Sequence, residues 1–194
     1  MSTGSDSRTD AELLREIRRE PGSPGALAAG SELCGRYRLK TYQWCFRVVR
    51  DHDTALDLAQ DALLSAWRGL AGFDERSQFS SWLFAIVRNR CLTAVRKRVN
   101  VRDESVEPDD LLADGRDPLD VLADRQEESA VLEAIRDDLE PIEQEALWLR
   151  AVERMPVDEI TRVLRIRSAS GARGVLQGAR RKLKARFGSR MEGM

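Results

Sequence analysis

Apolar residues along this chain of 194 residues recur at spacings of three and four rather than two. That is the period of an amphipathic helix, and no sustained two-residue alternation competes with it. The expected fold class is all-α. Thr9 and Glu12 have the spacing of a capping box and predict a short helix over 10–19. Pro21 to Gly25 then breaks it. A longer helix is expected over 31–50, with Leu33, Tyr37, Trp44 and Val48 on or near one face. A polar turn at 51–53 follows, and Asp53 or Thr54 is expected to cap a helix reaching Leu70. Its stripe reads Leu56, Ala59, Leu63, Ala66 or Trp67, and Leu70. Beyond a loop at 72–77, a helix from Phe79 to Arg98 repeats Leu83, Val87, Cys91 and Ala94. Three such helices can bury their stripes against one another as one bundle.

The pattern then lapses. Residues 99–128 hold two prolines, a glycine and a dense acidic run, which predicts a flexible linker. Helical spacing returns near Ser129 with Val131, Leu132, Ile135 and Leu139. Pro141 opens a helix carrying Ile142, Ala146 and Leu149. Pro156 sits in the first turn of a short helix with Val157, Ile160 and Leu164. After the turn Arg165-Ile166-Arg167, Ser168 or Ser170 is expected to cap a last helix that runs to about Phe187.

Charge sharpens this division. Residues 31–102 carry 13 Lys/Arg against 7 Asp/Glu, and residues 103–128 carry 2 against 11. Residues 129–161 carry 3 against 9, and residues 162–194 carry 10 against 1. Two basic segments thus flank an acidic middle, a common footprint of two nucleic-acid contacts on a tether. No apolar run approaches the roughly 18 residues of a membrane span. The polar start lacks a signal-peptide core, so a cytoplasmic location without a membrane span is expected. Cys34, Cys45, Cys91 and the single His52 lack zinc-ligand spacing, so three reduced cysteines and no metal or cofactor are expected.

Three constellations carry the functional reading. The first is a helix-turn-helix at the end of the chain. On a helix over 170–186, Ala172, Val175, Leu176, Ala179 and Leu183 gather on one side. Arg173, Gln177, Arg180 and Lys184 gather opposite, with Arg181 at the border. A recognition helix in the major groove needs such opposed faces, because Arg and Gln reach base edges while cations neutralise phosphates. A basic helix that only docks on its own domain is the plainer account, but ten Lys/Arg between 162 and 190 without an acid favour DNA. Gly171, Gly174 and Gly178 flank the basic face. Either a close backbone approach, to DNA or to a partner helix, or a frayed helix start accounts for them.

The second constellation mixes aromatics with cations: Phe79, Trp82 and Phe84, then Arg88, Asn89, Arg90 and Arg96 to Arg98. These are ingredients of single-strand binding, where bases stack and cations track phosphates. The aromatics are more often core than base platforms, whereas Arg88, Asn89 and Arg96 are expected to cluster away from the Leu83–Val87 stripe. The third is Asp57, Gln60 and Asp61, three and four apart on one helix face. No further ligand suits them to metal or acid–base work, which leaves an exposed acidic face or a protein-docking face.

Together these segments resemble the extracytoplasmic-function (ECF) sigma factors of bacterial RNA polymerase. The stretches DTALDLAQDALLSAW and FDERSQFSSWLFAIVRNRCLTAVRKR resemble the family's region 2 in order, spacing and residue type. LEPIEQEALWLRAVERMPVDEITRVLRIRSASGARGVLQGARRKL resembles region 4 more loosely, and its recognition-helix opening departs from the family's Thr-Val-Lys-Ser-Arg-like pattern. The resemblance implies a region 2-like domain over 31–98 and a region 4-like domain over 129–187. An extension at 1–30, the acidic linker at 99–128 and a tail at 188–194 complete the chain.

The resemblance also implies roles. Asp57, Gln60 and Asp61 would dock on the clamp helices of the polymerase largest subunit. Residues 73–79 and the start of the next helix, with Phe79, Trp82, Arg88, Asn89 and Arg96, would meet the melted −10 strand. Arg173, Gln177, Arg180, Arg181 and Lys184 would read the −35 duplex. Core polymerase and promoter DNA are the implied partners, with an anti-sigma factor as a further candidate. The expected function is promoter-specific transcription initiation, without catalysis. A helix-turn-helix regulator that binds an operator independently of polymerase is the alternative.

Overall fold

The computed structural model describes residues 8–100 and 133–191. The elements among these residues are helices throughout: α1 (Asp10–Arg19), α2 (Pro24–Val49), α3 (His52–Gly69), α4 (Phe79–Asn100), a helical turn α5 over 133–138, α6 (Pro141–Ala151), α7 (Val157–Val163) and α8 (Gly171–Met191). A 3-10 turn, Leu70–Gly72, follows α3. Two compact units result, 1–94 and 95–194, with the boundary in the last turns of α4. The linker expected over 99–128 lies outside the described residues apart from its first two positions, which belong to α4.

Local chemistry fixes the helix starts. Thr9 and Glu12 form the capping box of α1, each satisfying the other's backbone N–H. Pro21 ends that helix and Ser23-Pro24 opens the next: Ser23 accepts from the Ala26 N–H, and Pro24 occupies the first turn, where no donor is needed. α2 therefore begins at 24 rather than 31. Arg50 closes it in the left-handed conformation, φ 52°, its N–H returning to the Phe46 carbonyl. The cap of α3 is Asp51, which accepts from the Thr54 N–H at 2.9 Å, and not Asp53 or Thr54.

The buried face of α3 follows expectation at Ala59, Ala66 and Leu70 but differs at Leu56 and Leu63, in place of which Ala55 and Ala62 are buried. Ala55, Ala59, Ala62 and Ala66 are buried, whereas Leu56 and Leu64 are each 46% exposed. The reason lies on α2, which itself buries small residues along its length, Ala26, Ala29, Gly30, Thr41 and Cys45. Two small-residue faces let the helix axes approach closely, so alanine rather than leucine fills the seam. A Cβ on Gly30 would stand 2.8 Å from the Trp67 ring, so the indole lies directly on the α2 backbone. α1 covers the other side of α2 with Leu13, Leu14 and Ile17, all buried. The large core residues are Leu33, Trp44, Leu70, Phe73, Phe79, Leu83, Phe84 and Val87.

In the second unit α6 and α7 pack on α8 through Ala146, Leu149, Ile160, Leu164, Ala172 and Ala179. The α7–α8 turn is closed by Thr161, whose hydroxyl accepts the Ala172 N–H at 2.8 Å and donates to the Val157 carbonyl. Gly171 adopts φ +54°, and a Cβ there would meet the Thr161 side chain at 2.7 Å. Gly178 lies against Glu143 of α6. For these two glycines the structure supports the close-approach account, with a neighbouring helix on the other side.

Candidate nucleic-acid interface

α8 presents the opposed faces that its period predicts. Ala172 and Ala179 are fully buried, and Val175, Leu176 and Leu183 are half-buried. Arg173, Gln177, Arg180, Arg181 and Lys184 are all exposed. Two other cations of the helix are occupied at its inner border. Lys182 pairs with buried Glu143 at 2.6 Å, and Arg186 pairs with Asp138 at 2.9 Å. Those pairs dock α8 on α5 and α6 and leave the five exposed residues pointing outward. The short α7, the tight Thr161-closed turn and the longer α8 make a helix-turn-helix.

α4 is built differently. Leu83, Val87 and Cys91 form one buried column, and Phe84, Arg88 and Leu92 form a second beside it. Arg88 is only 6% exposed, so it belongs to the core face and not to the solvent face expected for it. Its truncation is a core substitution. Asn89 is exposed, with its carbonyl accepting the Thr93 hydroxyl at 2.8 Å, and Arg96 is exposed in the last turns. Phe79 is buried in a ring cluster with Tyr37, Phe73 and Trp82, at centroid distances of 5.1, 6.0 and 5.7 Å. Trp82 is half-buried against Gly69. Phe79 therefore anchors the loop before α4 from below. Deeper in the bundle, the Cys45 thiol is pushed up in pKa by its hydrogen bond with Cys91 and by burial. All three cysteines are free thiols.

Asp57, Gln60 and Asp61 are all exposed on α3. Asp61 makes a solvent-facing ion pair with Arg90 of α4 at 3.6 Å, of a kind that contributes little to stability. The exposed leucines Leu56 and Leu64 flank these residues at one-turn spacing. Sequence reasoning misses them because periodicity alone places Leu56 in the core. Acid and leucine interleaved on one exposed face are suited to a protein surface rather than to DNA. Among the described residues, no group of three or more His, Cys, Asp or Glu could hold a metal ion, and no helix is long and apolar enough to cross a membrane.

The loop at 73–78 joins the two long helices. Asp74 accepts the Arg76 N–H at 3.1 Å and pairs with its guanidinium, while Glu75 adopts φ 57°. Its exposed side chains, Asp74, Glu75, Arg76 and Gln78, stand beside the ring cluster.

Known proteins share this arrangement. Sigma-70 region 2 matches residues 33–101. SigG of Mycobacterium tuberculosis, an ECF RNA polymerase sigma factor, is 29% identical over 199 residues that cover 90% of this chain and 53% of SigG. Among solved structures, CnrH in complex with the cytosolic domain of CnrY is similar over 93% of this chain and 97% of that one, at 25% identity and a TM-score of 0.56. Residues 33–101 are thus a sigma-70 region 2 segment, and over most of its length the chain is similar to ECF sigma factors. The sigma factor RpoE of Bartonella quintana, solved with the anti-sigma factor NepR, has the same fold over 80% of this chain and 96% of that one, at 20% identity and a TM-score of 0.53. The chain spans about half the length of curated relatives such as SigG. Sigma factors are non-catalytic polymerase subunits.

Proposed function

We propose that this sigma factor binds core RNA polymerase and directs promoter-specific initiation in the cytoplasm. The observation that carries the proposal is the opposition on α8: two fully buried alanines on one side, five exposed Arg, Gln and Lys residues on the other. That face reads the −35 duplex, with Arg173, Gln177 and Arg180 toward base edges and Arg181 and Lys184 toward phosphates. The loop at 73–78 and the exposed cations of α4 take the melted −10 strand. Asn89 bonds the edge of an extruded base and Arg96 tracks the backbone. Asp57, Gln60 and Asp61, between Leu56 and Leu64, dock on the clamp helices of the largest subunit. The working domains are a region 2-like domain over 31–98 and a region 4-like domain over 129–187, tethered by the acidic segment 99–128.

CnrH was solved with the cytosolic domain of CnrY, and RpoE of B. quintana with the anti-sigma factor NepR. By analogy, this chain takes an anti-sigma partner on the same acid-and-leucine face of α3, in competition with polymerase.

The test is run-off transcription with purified core polymerase on genomic DNA, with start sites mapped. Discrete starts that depend on the added protein are expected. Asp57→Arg with Asp61→Arg should abolish core binding in a pull-down while leaving the melting temperature unchanged, since charge reversal on an exposed helix face barely alters folding. A protein that binds duplex DNA but neither core polymerase nor its clamp would instead be an operator-binding regulator.

A further inference from the structure

α1 lies outside the matched region 2 segment, yet it is fastened at both ends. At its start, Arg8 pairs with Glu16 at 2.6 Å and with Glu32, while Asp10 accepts from Arg36 at 3.1 Å and from the Tyr37 hydroxyl at 2.5 Å. These bonds hold the Glu32 carboxyl below its ordinary range, chiefly through Arg8, and the Tyr37 hydroxyl above its own, chiefly through burial. Along its length Leu13, Leu14 and Ile17 are buried on α2. At its end, Arg18 reaches across to the loop before α4. One guanidinium nitrogen donates to the Phe73 carbonyl, and another pairs with the Glu75 carboxylate at 2.9 Å.

The location of that clamp is informative. Phe73 and Glu75 flank Asp74 at the entrance of the loop, and Glu75 is in the left-handed region that non-glycine residues rarely adopt. Such a conformation persists when its surroundings over-determine it. The Phe73 ring is held from below by Phe79 and Trp82, and Asp74 ties Arg76 from within. Arg18 adds a polar tie that reaches this loop from another helix. It is not needed to hold α1, which the three buried side chains and the Arg8–Asp10 end already secure. At 36% side-chain exposure it is not a core residue either.

We propose that Arg18 is a positioning residue for −10 recognition: by holding the Phe73 carbonyl and the Glu75 carboxylate, it sets the backbone of 74–78 and so decides which unpaired bases the loop accepts. This rests on the reading of that loop as the −10 contact. A loop held in its binding shape loses less freedom on meeting DNA, and it discriminates because a wrong base cannot be accommodated by rearrangement. Loosening it should lower selectivity before it lowers total affinity.

The experiment uses holoenzyme assembled from the full chain and core polymerase. The probe is fork-junction DNA randomised across its single-stranded −10 segment, and the bound pool is sequenced. Arg18→Ala should flatten base preference by about tenfold at one or more positions, the scale of a single specific base interaction. Core affinity should be unchanged, and amide exchange at 74–78 should be faster. Arg18→Lys, which keeps a donor and a charge, should restore part of the preference. Glu75→Gln leaves α1 untouched and should shift preference in the same direction by less, so the proposal stays testable if Arg18→Ala folds poorly. Unchanged preference in Arg18→Ala, or in Glu75→Gln where the former is unfolded, overturns the proposal. Arg76→Ala with Gln78→Ala separates the two claims. If this pair shifts preference and Arg18→Ala does not, the loop reads DNA without the clamp. If neither shifts it, the −10 reading of the loop falls as well.

Discussion

α4 and α8 are both long helices rich in arginine, yet they bury those arginines by opposite rules. α8 docks on one side only, through alanines and paired cations at its inner border, and its outward face remains basic. α4 packs into the bundle over two adjacent columns, wide enough to take in Arg88 between Phe84 and Leu92. The difference comes from the number of neighbours. A helix at the edge of a small helical unit needs a narrow stripe, whereas one that closes an aromatic core needs a broad one. An arginine in a basic run is therefore left at the surface or built into the core according to the width of the stripe beneath it.

The largest effect expected from this contrast is on α8. Arg173→Ala with Arg180→Ala should leave folding within about 0.5 kcal/mol. Where the arginine reads a base, its removal should still cost duplex binding about 1–3 kcal/mol; where it neutralises a phosphate, the log–log salt slope should fall by roughly 1. Affinity for a −35 duplex, measured across a salt series, checks this. Native affinity and slope would show that the exposed face of α8 does not meet DNA.

Arg88→Ala should behave in the reverse way. Removing a buried side chain from the second column of α4 is expected to destabilise the unit by about 1–3 kcal/mol. That corresponds to roughly 4–8 °C in melting temperature per kcal/mol for a unit of this size. A melting curve and duplex affinity measured on the same sample are enough. A variant of wild-type stability with impaired DNA binding would move Arg88 from the structural group to the DNA-binding group.

Asn89, one position further on, provides the finer comparison because it is exposed. Asn89→Ala should not change the melting temperature, and it should reduce promoter opening by several-fold, the scale of one hydrogen bond at about 0.5–1.5 kcal/mol. Permanganate reactivity of the −10 thymines would fall on duplex template and recover partly on a pre-melted bubble. Equal reactivity of variant and wild type on the duplex would remove Asn89 from the −10 interface.

The same contrast explains what is legible in the sequence. The α8 faces are, because alanines and arginines segregate cleanly at helical spacing and a narrow seam suffices there. The burial of Arg88 is not, since the width of a stripe depends on neighbours that periodicity along one helix does not reveal. The α3 stripe reads one position off at Leu56 and Leu63, where Ala55 and Ala62 are buried instead, while Ala59, Ala66 and Leu70 are buried as expected. Leu56 is more apolar than Ala55, but the seam with α2, which buries small residues such as Ala29, Gly30, Thr41 and Cys45, takes the smaller residue. The Thr9–Glu12 capping box of α1 is readable, whereas the reach of Arg18 to a loop 55 positions on is a tertiary fact with no local signature.

The smallest expected effect compares one glycine from each unit. In an open helix interior, glycine costs roughly 1 kcal/mol relative to alanine. Gly35 of α2 meets that condition: a Cβ there would find nothing within 4 Å. Gly35→Ala should stabilise its unit by about 1 kcal/mol. Gly178 of α8 has the same intrinsic cost, but a Cβ there would stand 3.0 Å from Glu143 Oε1. That carboxylate cannot simply swing away. Its other oxygen accepts from Lys182 at 2.6 Å and from the Glu140 N–H at 2.9 Å, so it both pins α8 and caps α6. The gain in helix propensity and the strain on this pair should nearly cancel, which leaves Gly178→Ala within about 0.5 kcal/mol of wild type. Adding Glu143→Gln should separate the opposing effects. If the carboxylate is what resists the methyl group, the two substitutions will be non-additive, as expected for residues that touch. Additive melting shifts, or a full stabilisation by Gly178→Ala alone, would show that α8 has room to move away from α6 and that its basic face is held less firmly than the Lys182–Glu143 geometry requires.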